Sequence, residues 1–232
     1  MVAKGGTRII LALDFDRLDQ AERMVEITRE RVDIYKIGPI LFTSFGPGIV
    51  EFARNAGAGI LLDLKFHDIP NTVRGSVRAA SSLGVSMLTV HASGGIDMMR
   101  SALEGAEEGA RAFGTERPLI VGVTVLTSMA REGDTTARVL SLAGDADRAG
   151  IDGVVCSPLE VGRVKETYGD KLLAVVPGIR LGGDRTDDQA RVGTPGQAAR
   201  DGADFIVVGR SVTGSSDPGE ALARILKEVE NA

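Results

Sequence analysis

Asp63, Lys65 and Asp68 are spaced by two and three residues in the segment Leu61-Leu62-Asp63-Leu64-Lys65-Phe66-His67-Asp68. In an extended strand, residues two apart share a face. Leu61, Asp63 and Lys65 therefore point one way, and Leu62 and Leu64 the other. One charge at a strand end is ordinary surface, but here the feature repeats. Asp14 closes a first apolar run, Lys36 lies near the end of a second, and Asp63 and Lys65 end a third. Carboxylates and ammonium groups gathered in a partly dry site are costly unless they pair with one another. Such a network holds a lysine ammonium in fixed geometry. That ammonium is suited to stabilising negative charge as it develops on a substrate, and to delivering a proton. A purely structural ion-pair network is the competing reading.

These residues need a frame that brings strand ends together. Eight short apolar runs rich in Val, Ile and Leu recur along the chain: Arg8–Leu13, Asp33–Ile37, Gly59–Lys65, Val85–His91, Leu119–Leu126, Gly153–Cys156, Leu172–Val176 and Asp204–Val208. Near-continuous apolarity fits parallel strands buried on both faces. Between them lie segments with helical periodicity: Asp19–Arg31, Ser44–Ala56, Asn71–Leu83, Ile96–Phe113, Asp134–Ala149, Pro158–Tyr168 and Asp188–Asp201. A final one carries Ala221, Leu222, Ile225, Leu226 and Val229 on one face. Gly57, Gly84, Gly114, Gly150, Gly169 and Gly202 end many of these segments, as helix-stopping glycines do. Strict alternation of strand and helix predicts a parallel sheet. Eight units in 232 residues predict a single α/β domain over residues 1–232, a (β/α)8 TIM barrel whose strand ends converge on one mouth. An open doubly wound sheet is the alternative, disfavoured because no Gly-x-Gly-x-x-Gly follows the first run.

Other residues join the list by position. Gly209-Arg210 follows the eighth run, where barrels of this kind often bind phosphate. The glycine admits an anion close to the backbone, and the arginine pairs with phosphate oxygens bidentately. The long polar loop Pro177–Asp188 carries Arg180, Arg185 and Gly182-Gly183, and reads as a lid or an ordinary surface loop. Thr127-Ser128 reads as a turn unless a ligand reaches it. His67 and His91 each read as a hydrogen-bonded structural group. Cys156, on an apolar strand, reads as core rather than nucleophile. Asp14, Asp63 and Asp68 invite comparison with a Mg²⁺ site, but two lysines among them argue against a metal.

Composition narrows the classes. Lys and Arg number 27 against 32 Asp and Glu, a net charge of −5, which disfavours a nucleic-acid binder or a basic membrane-surface protein. The single cysteine excludes an intrachain disulfide framework and fits a reducing, cytoplasmic setting. The apolar run Ile9–Leu13 stops at Asp14, too short for a signal-peptide core, and no stretch approaches a transmembrane span.

The block Asp63-Leu64-Lys65-Phe66-His67-Asp68-Ile69-Pro70-Asn71-Thr72 resembles the signature of the bacterial-type orotidine 5′-monophosphate decarboxylases. Leu13-Asp14, Lys36-Ile37-Gly38, Val90-His91-Ala92-Ser93-Gly94-Gly95, Leu126-Thr127-Ser128-Met129, Pro177-Gly178-Ile179-Arg180 and Val208-Gly209-Arg210 follow in that family's order. The resemblance implies a (β/α)8 barrel homodimer with shared active sites. Its activity would convert orotidine 5′-monophosphate to UMP and CO₂, the last step of de novo UMP synthesis, without a cofactor. By the same resemblance, Lys65 is the proton donor to C6 and Asp63 the carboxylate beside the departing CO₂. Lys36 and Asp14 contact the ribose, and Thr127 lies near the pyrimidine. Asp68, Ile69 and Thr72 belong to the substrate-binding set, Asp68 and Thr72 by reaching into the partner subunit's site, and Asp68 and Lys36 also count with Lys65 and Asp63 as catalytic. Arg180, Gln189, Gly209 and Arg210 form the phosphate side. The Arg180–Gln189 spacing varies in the family, and the stretch from Met129 to Gly150 is shorter than in some relatives.

Two other readings compete. Sister sugar-phosphate decarboxylases and hexulose-phosphate synthases share Asp-x-Lys-x-x-Asp and usually need Mg²⁺. The run His67-Asp68-Ile69-Pro70-Asn71-Thr72 disfavours them. A phosphate-ligand sensor that has lost catalysis is disfavoured by the intact Lys65 and its carboxylates.

Overall fold

The computed structural model describes residues 6–129, 134–182 and 191–232. Eight parallel strands close on themselves in sequence order: β1 (Arg8–Ala12), β2 (Ile34–Ile37), β3 (Gly59–Phe66), β4 (Met87–His91), β5 (Leu119–Val123), β6 (Gly153–Val155), β7 (Leu173–Val176) and β8 (Phe205–Val208). The ring shuts where β1 pairs with β8, Arg8 opposite Phe205 and Leu11 opposite Val208. The closed ring decides against the open doubly wound alternative.

Strand alternation sorts the side chains into two cores. Ile10, Ala12, Ile34, Leu61, Met87, Val121, Val175, Phe205 and Val207 pack inside the barrel. Ile9, Leu11, Tyr35, Leu62, Val90 and Ile206 face the surrounding helices. Leu61 and Leu62 fall on opposite sides, as a period of two requires.

The bottom of the barrel is closed by a recurring device. Asp33, Asp152 and Asp204 lie just before β2, β6 and β8. Each accepts a hydrogen bond from a backbone N–H of the preceding strand: Ile9 at 2.8 Å, Ile120 at 2.7 Å and Ala174 at 2.8 Å. Ser86, just before β4, accepts from Ile60 N at 3.3 Å in the same way. Strand starts are thus satisfied in alternate pairs, which fixes the register that the upper rim inherits.

The helices are α1 (Leu18–Thr28), α2 (Pro39–Phe45), α3 (Gly48–Asn55), α4 (Pro70–Ser81), α5 (Ile96–Phe113), α6 (Thr135–Ala149), α7 (Val161–Tyr168), α8 (Pro195–Arg200), α9 (Arg210–Thr213) and α10 (Pro218–Glu230). Asp217 caps α10 by accepting from Glu220 N at 2.9 Å, with Pro218 in its first turn. The six glycines expected to stop helices all have positive φ. Three expectations shift. The segment Ser44–Ala56 is not one helix: α2 begins earlier, at Pro39, and Gly46, at φ +62°, with Pro47 separates it from α3. Of the segment Asp188–Asp201, residues 188–190 lie outside the described residues, and from Arg191 onward the helix is α8, started by Thr194 and Pro195. The fifth strand ends at Val123 rather than Leu126, and beyond it the carbonyls of Val125 and Leu126 accept from the Arg191 guanidinium. Among the described residues, no helix is long and apolar enough to cross a membrane.

Candidate active site

The upper ends of the strands surround a cavity of about 660 Å³. Four charged groups line one side of it in alternating sign. Lys36, on β2, places Nζ 2.8 Å from Asp14 Oδ1 and 3.6 Å from Asp63 Oδ2. Lys65, at the end of β3, places Nζ 2.8 Å from Asp63 Oδ1. Asp63 is the buried centre of this chain, while the Asp14 side chain is 54% exposed. Burial alone would raise the Asp63 carboxyl. The ammonium groups of Lys36 and Lys65, with hydrogen bonds from Lys65 and Thr89, outweigh it and hold the carboxyl below its usual range. Asp63 is therefore an anion in neutral solution.

Local backbone geometry sets Lys65 in place. Between Leu62 and Phe66 the register of β3 against β4 slips. Lys65 there adopts φ +51°, a left-handed conformation uncommon for a residue with a side chain. Such strain costs on the order of 1–3 kcal/mol and persists where surrounding contacts impose it. Thr89 imposes it: its hydroxyl accepts from Lys65 N at 3.0 Å and donates to Asp63 Oδ1 at 2.9 Å. Thr89 is buried and faces inward from β4, and sequence reasoning did not single it out. The available signal was a hydroxyl in mid-strand, flanked at the same face by Met87 and His91.

Gly38 has a related role. A Cβ there would sit 3.0 Å from Asp14 Oδ1 and 3.3 Å from Lys36 Nζ, so a side chain would press on the ion pair.

The opposite side of the cavity carries Thr127, Arg180, Gly209 and Arg210. Arg210 is exposed and opens the short helix α9, with Gly209 before it. A Cβ on Gly209 would meet Ala12 Cβ at 3.8 Å, an ordinary contact, so crowding within the chain does not demand glycine. The room this glycine leaves is on the cavity side. Gln189 and Arg185 lie outside the described residues, as does the part of the expected lid from Gly183 onward.

Asp68, Ile69 and Thr72 do not line this cavity. They are exposed where β3 leads into α4, with Asp68 Oδ1 accepting from Ile69 N at 2.7 Å and Ile69 66% exposed.

The rings of His67 and His91 lie beside each other, their centroids 5.1 Å apart and their planes tilted by 38°. Burial, then the neighbouring His67 and Lys65, push His91 below the ordinary histidine value against the pull of Asp63. Cys156 is buried and its thiol is pushed up to about 12, chiefly by burial, which leaves it inert at neutral pH. Among the described residues, no three His, Cys, Asp or Glu side chains are grouped to hold a metal ion.

Residues 7–225 match the family model described as "Orotidine 5'-phosphate decarboxylase / HUMPS family". A protein of Pseudomonas paraeruginosa named orotidine 5′-phosphate decarboxylase is 44% identical over 229 residues, covering 95% of this chain and 97% of that one. One of Moorella thermoacetica with the same name is 40% identical over 232 residues, covering 96% and 92%. The crystal structure of orotidine 5′-phosphate decarboxylase from Lactobacillus acidophilus superposes with a TM-score of 0.84 at 38% identity, covering 97% of this chain and all of that one.

Proposed function

The chain belongs to the orotidine 5′-phosphate decarboxylase / HUMPS family, and we propose that it is the carboxy-lyase converting orotidine 5′-monophosphate to UMP and CO₂ in pyrimidine biosynthesis. The observation that carries this reading is the Asp14–Lys36–Asp63–Lys65 chain at the mouth of the barrel.

The chemistry follows from those groups. Breaking the bond from C6 to the carboxylate leaves the electron pair on C6 and releases CO₂. No adjacent carbonyl takes up that charge. The Lys65 ammonium, held at 2.8 Å from Asp63, stabilises the developing carbanion and then transfers its proton to C6. The resulting neutral amine recovers a proton from solvent. Asp63, kept anionic, stands against the substrate carboxylate and orients Lys65. Lys36 and Asp14 hold the ribose hydroxyls, and Thr127 meets the pyrimidine.

Arg180, Gly209 and Arg210 take the phosphate, with Gln189 in the same set. Binding energy gathered there, remote from C6, positions the ring over Lys65. Asp68, Ile69 and Thr72 serve the partner subunit's site in a homodimer. The apolar side chain of Ile69, 66% exposed just ahead of α4, suits such an interface.

The test compares orotidine 5′-monophosphate with orotidine, which lacks the phosphate. The wild-type protein should consume the nucleotide and yield UMP. Arg210→Ala should lower kcat/KM for the nucleotide by about tenfold to a hundredfold, the worth of one charge-assisted bidentate contact. Its effect on orotidine should be much smaller. Equal losses on both substrates would place Arg210 outside the phosphate grip, and a wild-type protein inert towards the nucleotide would overturn the assignment itself.

A further inference from the structure

Behind the cavity wall lies a buried ion pair that the reaction described above does not use. Arg191 is 1% exposed and Glu160 is fully buried. Arg191 Nη1 lies 2.9 Å from Glu160 Oε2, which also accepts from the Ser157 hydroxyl. Arg191 Nη2 donates to the carbonyls of Val125 at 2.7 Å and Leu126 at 2.9 Å. Thr127 comes next in the chain.

The backbone beside Arg191 grips the loop after β7. Gly193 N donates to Gly178 O at 3.0 Å, and Gly193 O accepts from Arg180 N at 2.9 Å. Gly178 sits at φ +85°, and a Cβ there would approach the Arg191 carbonyl to 2.7 Å. The glycine is what permits this close contact.

This arrangement is not one that stability alone would select. Replacing a buried ion pair by apolar residues is often neutral or stabilising. This pair also leaves Glu160 Oε1, Arg191 Nε and Arg191 Nη1 buried without hydrogen-bond partners among the described residues, so Nη1 meets Glu160 as a close ionic contact alone. Its distinctive product is geometric. One guanidinium ties the segment before Thr127 to the segment that carries Arg180, and both of those residues line the cavity.

We propose that Glu160 and Arg191 form a positioning pair that sets substrate affinity by fixing the spacing between the Thr127 and Arg180 sides of the cavity. The proposal rests on the orotidylate reading given above. The Asp63–Lys65 side is anchored separately, by β3 and Thr89. The pair therefore acts through the substrate's remote groups and leaves the Asp63–Lys65 geometry in place.

The test uses two variants of the full chain. Glu160→Gln/Arg191→Met removes both charges together, so that neither is left buried alone. Arg191→Lys keeps a charge opposite Glu160 but lacks the guanidinium fork. Folding is checked by circular dichroism, and steady-state kinetics are measured with orotidine 5′-monophosphate. The double variant should raise KM by about tenfold or more while kcat stays within about threefold, and Arg191→Lys should fall between it and wild type. A folded double variant with wild-type KM overturns the proposal, whatever its melting temperature. So does a loss confined to kcat. If the double variant does not fold, Arg191→Lys decides: KM raised by about threefold or more supports the proposal, and an unchanged KM overturns it. A wild-type protein without activity on the nucleotide would instead count against the assigned reaction.

Discussion

Lys65→Ala is expected to lower kcat for orotidine 5′-monophosphate by about 10⁴-fold or more while the protein stays folded. The magnitude combines two losses. A positioned proton donor contributes on the order of 10²–10⁴-fold, and a preorganised charge aimed at a developing anion contributes at least a further 10²-fold. The fold survives because the side chain is partly exposed and because Asp63 keeps Lys36 at 3.6 Å and its hydrogen bond from Thr89. The buried carboxylate is therefore not abandoned without a counter-charge, which is the usual route from a deleted partner to unfolding. KM should change far less than kcat, since the contribution of Lys65 lies in the transition state. Single-turnover kinetics with the variant and wild type provide the measurement. Wild-type turnover by Lys65→Ala would show that the proton comes from elsewhere.

The second large effect concerns assembly. Asp68→Ala should also be a poor catalyst, although Asp68 lies outside the cavity of its own chain. If each site combines Lys65 of one subunit with Asp68 of the partner subunit, two inactive homodimers repair each other when mixed. In a Lys65→Ala/Asp68→Ala heterodimer, one site carries both lesions and the other carries neither. Random reassortment of equal amounts makes half the dimers mixed. About a quarter of wild-type activity should then return, by counting sites in a twofold dimer. Differently tagged chains establish that subunits have exchanged. Exchange without recovered activity would mean that Asp68 serves its own chain's site, or that the sites stand apart from the interface.

Much of the frame was legible because strand alternation is a local signal. Leu61 and Leu62 could be assigned to opposite faces from their spacing alone, and they lie in the inner and outer cores. The convergence of Asp14, Lys36, Asp63 and Lys65 followed from the same rule, applied to strand ends of a closed barrel. What stayed hidden depends on which strands become neighbours. Thr89 is 26 residues from Asp63, and only the β3–β4 pairing brings them together. The slip that turns Lys65 backwards leaves no mark in composition. Arg191 reaches carbonyls 65 and 66 residues away, so its burial and its tie to the segment after the fifth strand were both unreadable from its neighbours. The break at Gly46-Pro47 was legible in principle, since both residues disfavour a continuing helix, but the apolar spacing of Ser44–Ala56 concealed it.

On the proposed reading, this chain decarboxylates orotidine 5′-monophosphate with its own side chains. Lys36 and Lys65 already stand on both sides of the Asp63 carboxylate, at 3.6 Å and 2.8 Å, and Lys36 also holds Asp14 at 2.8 Å. Asp14 and Asp63 are thus paired with ammonium groups, and Asp68 stands outside the cavity. The most direct measurement is the initial rate of orotidine 5′-monophosphate loss, followed by absorbance before and after exhaustive EDTA treatment, with Lys65→Ala as the blank. The rate should be the same in both samples, with UMP as product. Activity that vanishes with EDTA and returns only with Mg²⁺ would contradict it and favour a sugar-phosphate enzyme of the same family.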